Sequence, residues 1–192
     1  AEYAFREAER RRKHVTIVHK SNVMPKTDGL FGRVAKEVAS SHPGVSYREM
    51  YVDAASMALI RDPRSFDVLL TMNVYGDILS DEAAQVVGGL GMAPSANIGE
   101  KMALFEPVHG SAPDIAGKGL ANPYATVLSA AMMLDWLSQA KGDPRLEKAS
   151  KLVESAAVTA LRRGIATPDL GGKYKTSEVG KGLEAVMVEL GG

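Results

Sequence analysis

Asp77 and Asp81 lie four residues apart in the stretch Thr71 to Asp81, TMNVYGDILSD, where a strand gives way to a helix. That spacing puts both carboxylates on one helical face, and like charges there repel unless a cation or a basic partner compensates. The chemistry such a pair offers is oxygen ligation of a divalent metal. A plainer reading needs no ligand: Asp77 caps the helix, and Asp81 is a solvated first-turn acid favoured by the macrodipole. On the residues alone the plainer reading takes precedence. Lys20 follows the apolar run Val15-Thr16-Ile17-Val18 and stands at a strand end, a candidate acid or base whose alternative is an ordinary surface lysine. Asp53 is a third strand-end carboxylate, after Val45 to Val52, although an Asp before an Ala-rich helical run is also what capping requires.

The elements that must position these residues alternate. Phe66 to Thr71 has the length and apolar content of a buried parallel strand, so Asp77 and Asp81 fall beyond its carboxyl end, where open α/β sheets bind ligands. Val15 to Val18 precedes a helix over 28–39, Val45 to Val52 precedes a short helix ending near Arg61, and Phe66 to Thr71 precedes one running to Gly88. Strand and helix thus alternate three times, the signature of a parallel sheet. The opening AEYAFREAERRRKH places Ala1, Ala4, Phe5 and Ala8 on one helical face, with neither an initiator Met nor a capping residue before it, as if cut from a longer chain. Arg10 to Lys13 is expected to close that helix against its dipole rather than to bind phosphate.

From Met92 the texture changes to small residues and turns as far as Pro123, long for a structureless connection and suited to binding. Gly117-Lys118-Gly119-Leu120-Ala121-Asn122 imitates a dinucleotide fingerprint but lacks its last glycine, and no strand feeds directly into it. Three scaffold helices follow. One starts with Pro123 at its first position and runs through Ser138. The next is capped by Asp143-Pro144, carries apolar Leu146, Ala149, Val153, Ala156 and Ala160, and stops at Gly164. The last is capped by Thr176, with Val179, Leu183, Val186 and Leu190 on one face. The change near Gly91 marks a boundary or hinge between 1–91 and 92–192.

Lys+Arg and Asp+Glu each number 23 in 192 residues, so there is no bulk basic footprint for nucleic acid or an anionic membrane. The absence of cysteine removes disulfides, thiolate metal sites and thiol nucleophiles, leaving oxygen or imidazole ligands for any metal. The most apolar stretch, Tyr124 to Leu137, is interrupted by Asp135 and too short to span a bilayer. A soluble, cytoplasmic protein is expected.

Taken together, HKSNVMPKTDGLF, MYVDAASM, NVYGDILSDEAAQVVGGLG, ALFEPVHGSAPDIAGKGLANP and TPDLGG resemble the β-decarboxylating dehydrogenases of 2-hydroxy acids, the isopropylmalate, isocitrate and homoisocitrate family. The match runs nearly end to end and keeps the family's motif order, yet covers only the later part of such an enzyme. The resemblance implies an α/β fold of the isopropylmalate-dehydrogenase kind, a parallel or mixed sheet flanked by helices without a Rossmann fingerprint. Residues 1–91 would belong to the smaller, dimerising domain and 92–192 to the cofactor-binding domain. The family's glycine-rich segment, substrate-binding arginines and catalytic tyrosine would lie upstream of Ala1.

By the same resemblance Asp53, Asp77 and Asp81 become ligands of Mg²⁺ or Mn²⁺, with Asp53 supplied across a homodimer interface to the partner's site. Lys20 becomes the lysine that assists removal of the hydroxyl proton, and Lys20 and Asp53 also approach substrate. Asn22 matches a residue near the nicotinamide, although an asparagine after a strand is also a common turn former. The loop His109-Gly110-Ser111-Ala112-Pro113-Asp114-Ile115-Ala116-Gly117-Lys118-Gly119-Leu120-Ala121-Asn122 resembles the family's adenosine site. Within it, Asp114 favours NAD, because a carboxylate accepts from ribose hydroxyls and repels a 2′-phosphate. The expected substrate is 3-isopropylmalate, in leucine biosynthesis, with homoisocitrate or isocitrate as alternatives. A different class stays open: a non-catalytic dimerisation unit, if the chain is natively 192 residues.

Overall fold

Val15, Thr16, Ile17 and Val18 lose all solvent exposure in β1 (His14–His19), the middle strand of a parallel sheet ordered β2, β1, β3. The computed structural model describes residues 1–192 and divides into two units, Ala1–Val86 and Val87–Gly192, with the division falling shortly before the change of composition at Gly91. In the first unit β2 is Ser46–Tyr51 and β3 is Val68–Thr71. The register pairs His19 with Tyr51 and Val18 with Thr71, so the three carboxyl ends share one edge of the sheet.

Alternation along β1 divides its side chains between two cores. Val15 and Ile17 cluster with Phe5 and Ala8 of α1 (Glu2–Glu9) and with Ala35 and Ala39 of α2 (Thr27–Ala39). Val18 clusters instead with Ala55 and Leu59 of α3 (Val52–Arg61), Phe66, and Leu79 of α4 (Asn73–Val86). Helices therefore cover both faces, which is why β1 reads as an unbroken apolar run rather than an alternating one.

The basic run does not simply close α1. Arg11 Nε donates to Asp67 Oδ1 at 3.1 Å, and Arg12 donates to the carbonyls of Arg64, at 2.8 Å, and of Phe66. These bonds tie the segment before β3 to the segment before β1. Burial pushes the Asp67 carboxyl up, but Arg11 and the backbone N–H groups of His14 and Arg12 outweigh it and hold the group below the usual carboxylate range.

The second unit opens with an antiparallel hairpin, β4 (Pro94–Ile98) and β5 (Ala103–Pro107). Three helices follow: α5 (Tyr124–Lys141), α6 (Pro144–Arg162) and α7 (Thr176–Gly191). Their core gathers Tyr124, Ala156, Ala157, Ala160, Val179, Leu183 and Val186, while Leu190 remains 44% exposed. Asp143 caps α6, its carboxylate accepting from Arg145 N–H at 3.0 Å. Pro123 occupies the cap position of α5 rather than its first helical residue, and α5 continues past Ser138. Thr176 does not cap α7. Lys175 holds that position, and its N–H donates to the Glu178 carboxylate at 2.7 Å.

Candidate active site

The chain turns sharply after β1, and the turn fixes Lys20 from both sides of its peptide. The Lys20 carbonyl accepts from the N–H groups of Val23 (2.9 Å) and Met24 (2.8 Å), and its own N–H donates to Asp28 Oδ2 at 2.7 Å. The side chain reaches the end of β2, where Nζ lies 2.6 Å from Asp53 Oδ1 and 5.7 Å from the Tyr51 ring centroid. Asp53 is the second residue of α3, after the cap position at Tyr51, and is mostly exposed. The Lys20 ammonium, helped by the backbone N–H groups of Asp53 and Ala54, holds its carboxyl below the usual range. Asp53 therefore serves the helix start, as its place before an Ala-rich run implies, and also pairs with Lys20, a contact the sequence did not signal.

Asp77 and Asp81 sit differently from the plainer expectation. α4 begins at Asn73 and has no acidic residue in its first turn, so Asp77 is no cap and Asp81 no first-turn acid. The macrodipole fades within that turn and does not account for them. Both are exposed and neither has a basic partner within the chain, so their mutual repulsion disfavours the bare helix by about 0.2–0.5 kcal/mol. Gly76 lets this part of α4 lie close on β3, because a Cβ there would come within 2.5 Å of Thr71 Oγ1. No three acidic, histidine or cysteine side chains gather in a way that could hold a metal, so Asp53 does not join Asp77 and Asp81 within one chain. What one chain offers is two hard oxygen donors one helical turn apart, a donor set suited to Mg²⁺ or Mn²⁺ but incomplete by itself.

Two residues of this neighbourhood went unnoticed in the sequence. Asp28, in the first turn of α2, is wholly buried and accepts from Lys20 N–H, Tyr75 Oη at 3.0 Å and Thr27 Oγ1 at 3.1 Å. Its partner Tyr75 stands two residues before Asp77. An acid at a helix start reads as a dipole or capping residue, and nothing local signals that this one is enclosed.

The second unit holds a cleft of about 780 Å³ built largely by the glycine-rich loop. His109, Gly110, Ser111, Ala112, Ile115, Ala116, Gly117, Gly119, Leu120, Ala121 and Asn122 line it, with Leu90, Gly91, Asp169 and Thr176. Pro113, Asp114 and Lys118 stand outside that lining; Asp114 is exposed on a short 3-10 turn. Asn22 lies in the first unit, exposed in the turn after Lys20. His109 Nδ1 is 2.9 Å from the Gly110 carbonyl, which only accepts, so in the neutral ring Nε2 is free to accept a hydrogen bond.

Other bonds hold the loop in shape. Thr176 donates from its N–H to the Gly119 carbonyl (2.9 Å) and from its hydroxyl to the Ala121 carbonyl (2.6 Å). Asn122 accepts from Tyr124 N–H and donates to Asp169 Oδ2, both at 2.9 Å, so its side-chain amide is anchored within the protein. Below it, buried Tyr124 donates to the Ile165 carbonyl at 2.6 Å, and burial pushes its phenol up to about 12. Asp169 and the loop-holding role of Thr176 were invisible locally, since each acts across about fifty residues of chain.

A parallel α/β unit with charged side chains gathered at its strand ends, followed by a unit with a loop-built cleft, defines an α/β protein of the ligand-at-the-strand-end class. The chain belongs to the isocitrate/isopropylmalate dehydrogenase family, whose sequence model matches residues 1–183. It is 52% identical over 188 residues to 3-isopropylmalate dehydrogenase of Archaeoglobus fulgidus, covering 97% of this chain and 56% of that protein. It is 56% identical over 174 residues to isocitrate/homoisocitrate dehydrogenase of Thermus thermophilus, covering 90% of this chain and 50% of the relative. Among solved structures, isocitrate dehydrogenase from Methylococcus capsulatus superposes with a TM-score of 0.87 at 43% identity, covering 96% of this chain and 54% of that one. The chain thus spans about half the length of the relatives it matches.

Proposed function

We propose that the full-length protein oxidatively decarboxylates a 2-hydroxy acid, with NAD as hydride acceptor and Mg²⁺ or Mn²⁺ as cofactor. The observation that carries this reading is the 2.6 Å Lys20–Asp53 pair at the same sheet edge from which α4, bearing Asp77 and Asp81, departs. Once its ammonium has released a proton to solvent, the Lys20 amine accepts the hydroxyl proton as hydride passes from the carbon that bears it to NAD, and Asp53 aims that amine. Loss of CO₂ then leaves an electron pair on the adjacent carbon, where a proton must be delivered. When bound, the metal would be held by Asp77 and Asp81 with Asp53 of a second subunit, and would polarise the substrate's oxygens. The cleft around His109 and Asn122 would take the adenosine end of NAD. Since Asp114 stands outside its lining in the free chain, preference for NAD rests on the family resemblance and on the charge of Asp114.

We expect a homodimer to form through α3 and α4. Met57 and Ile60 of α3 and Val74 and Ile78 of α4 are each more than 60% exposed, and covering such large apolar side chains would favour association. We take 3-isopropylmalate as the substrate, supported by the Archaeoglobus relative, with homoisocitrate or isocitrate as the alternative that the Thermus relative favours. Assaying the full-length protein against these three acids, with NAD and with NADP and with Mn²⁺ present or chelated, tests the reading. Metal-dependent NADH formation on 3-isopropylmalate is expected. Turnover with NADP alone, or none with any of the acids, would overturn it.

A further inference from the structure

Asp28 is an acid at the start of a helix, yet it does not behave as one. Such residues are ordinarily solvated, whereas Asp28 is 0% exposed and spends its oxygens on three separate segments. The turn after β1 contributes the Lys20 N–H (2.7 Å), α4 contributes the Tyr75 hydroxyl (3.0 Å), and α2 contributes the Thr27 hydroxyl (3.1 Å). Lys20 N–H and Tyr75 Oη share one oxygen, Oδ2, so a single atom joins the residue that carries the amine to the helix that carries the carboxylate pair. Burial raises this carboxyl, but the three hydrogen bonds and nearby His19 outweigh it, leaving the group an anion. Hydrogen bonds to an enclosed anion are shorter and stronger than neutral ones, and their loss strands the charge.

We propose that Asp28 is a positioning residue, which holds the base of the Lys20 side chain and the Tyr75 turn of α4 in fixed register. The proposal rests on the reading of Lys20, Asp77 and Asp81 given above. It explains why a carboxylate is kept where no water reaches it. The lysine stem is long and flexible, so aiming Nζ at Asp53 requires that its backbone not drift. Tyr75 lies half a turn before Asp77, and fixing its hydroxyl sets the rotation of α4 and with it the direction of both carboxylates.

The test uses the full-length protein with Asp28→Asn, Asp28→Ala, Tyr75→Phe and the Asp28→Ala/Tyr75→Phe pair, beside Lys20→Met. Misplacement of reacting groups lowers kcat by about tenfold to a hundredfold. The Ala variant should lose more than Asn, which keeps an acceptor oxygen, while KM for NAD stays unchanged. The Mn²⁺ concentration for half activity should rise in Tyr75→Phe, and the double variant should lose less than the product of the single losses, because both remove one connection. If kcat per folded molecule is unchanged and only the melting temperature falls, Asp28 is structural and the proposal is overturned; Asn and Phe decide this even if Ala does not fold. If Lys20→Met turns over normally, the reading of Lys20 falls and takes the proposal with it. If Lys20→Met is crippled while the Asp28 and Tyr75 variants are not, the positioning role alone is lost.

Discussion

Lys20 has two neighbours that could define it, the Asp53 carboxylate at 2.6 Å and the Tyr51 ring at 5.7 Å, and only the first is within hydrogen-bond distance of Nζ. Replacing Lys20 with Met keeps the stem and removes the amine, so turnover of the full-length protein should fall by about a hundredfold or more while NAD binding is little changed. Steady-state kinetics with a separate NAD titration checks this, and near-normal turnover across the pH range would remove the role. Asp77 and Asp81 call for a different measurement. Because both are exposed and lack a basic partner, Asp77→Asn or Asp81→Asn should relieve repulsion and leave the fold at least as stable. Activity should nonetheless need more Mg²⁺ or Mn²⁺. A metal titration of activity, read beside a thermal melt, separates the two effects, and an unchanged titration counts against metal ligation.

At the scale of the element, α4 depends on its approach to β3, and Gly76 is where that approach is tightest. A methyl group there meets Thr71 Oγ1 at 2.5 Å, so Gly76→Ala should destabilise by about 1–3 kcal/mol despite the better helix propensity of alanine. Combining it with Thr71→Ala should recover part of the loss, and urea unfolding of the three variants measures it. α1 is held by His42, which stacks on Phe5 at 5.5 Å and faces Glu9 at 2.8 Å and Glu2 at 3.4 Å. Glu9 foremost, with Glu2, raises the imidazole above its ordinary 6.5. The folded state therefore binds this proton more tightly than the unfolded chain. The contact stabilises fully below 6.5 and is lost as pH climbs through the raised folded value. The difference in melting temperature between wild type and His42→Gln should shrink as pH rises; a constant difference would show that only the Phe5 stacking matters.

These elements also show what a sequence can and cannot display. In the first unit strands, helices and the parallel order were legible because burial writes itself as apolar runs punctuated by turns, and the Asp77/Asp81 spacing was legible because helical period is local. The antiparallel pair β4 and β5 was not, since its Pro, Ser, Ala and Asn residues read as a turn-rich connection. Asp28, Asp169 and the loop-holding Thr176 were not, since each acts through partners brought near only by folding. The start of α4 was misplaced for a related reason. The plainer reading sets a cap at Asp77, whereas α4 begins at Asn73, and the spacing of the two acids does not tell where the helix starts.

For the whole molecule, the decisive fact is that one chain keeps Asp53 with Lys20 and brings no third acidic or histidine side chain to Asp77 and Asp81. Two such chains, joined through the exposed apolar residues of α3 and α4, could each complete the other's set. Every chain would then serve two sites, giving Lys20 and Asp53 to one and Asp77 and Asp81 to the other. This arrangement makes an arithmetic prediction that a self-contained site does not. A subunit carrying Asp53→Ala is defective in one half of a site, and a subunit carrying Asp77→Ala in the other half, so each homodimer is inactive at both sites. In the mixed dimer, one site receives both damaged halves and the other receives neither. Purified hybrids should therefore recover about half of wild-type activity, within the limits set by coupling between neighbouring substitutions. If each site were built from a single chain, both subunits of the hybrid would carry a damaged site and no activity would return. Differently tagged subunits isolated by two affinity steps supply the hybrid, and sedimentation of the wild type checks the assembly itself: activity carried by a monomer would exclude the shared site outright.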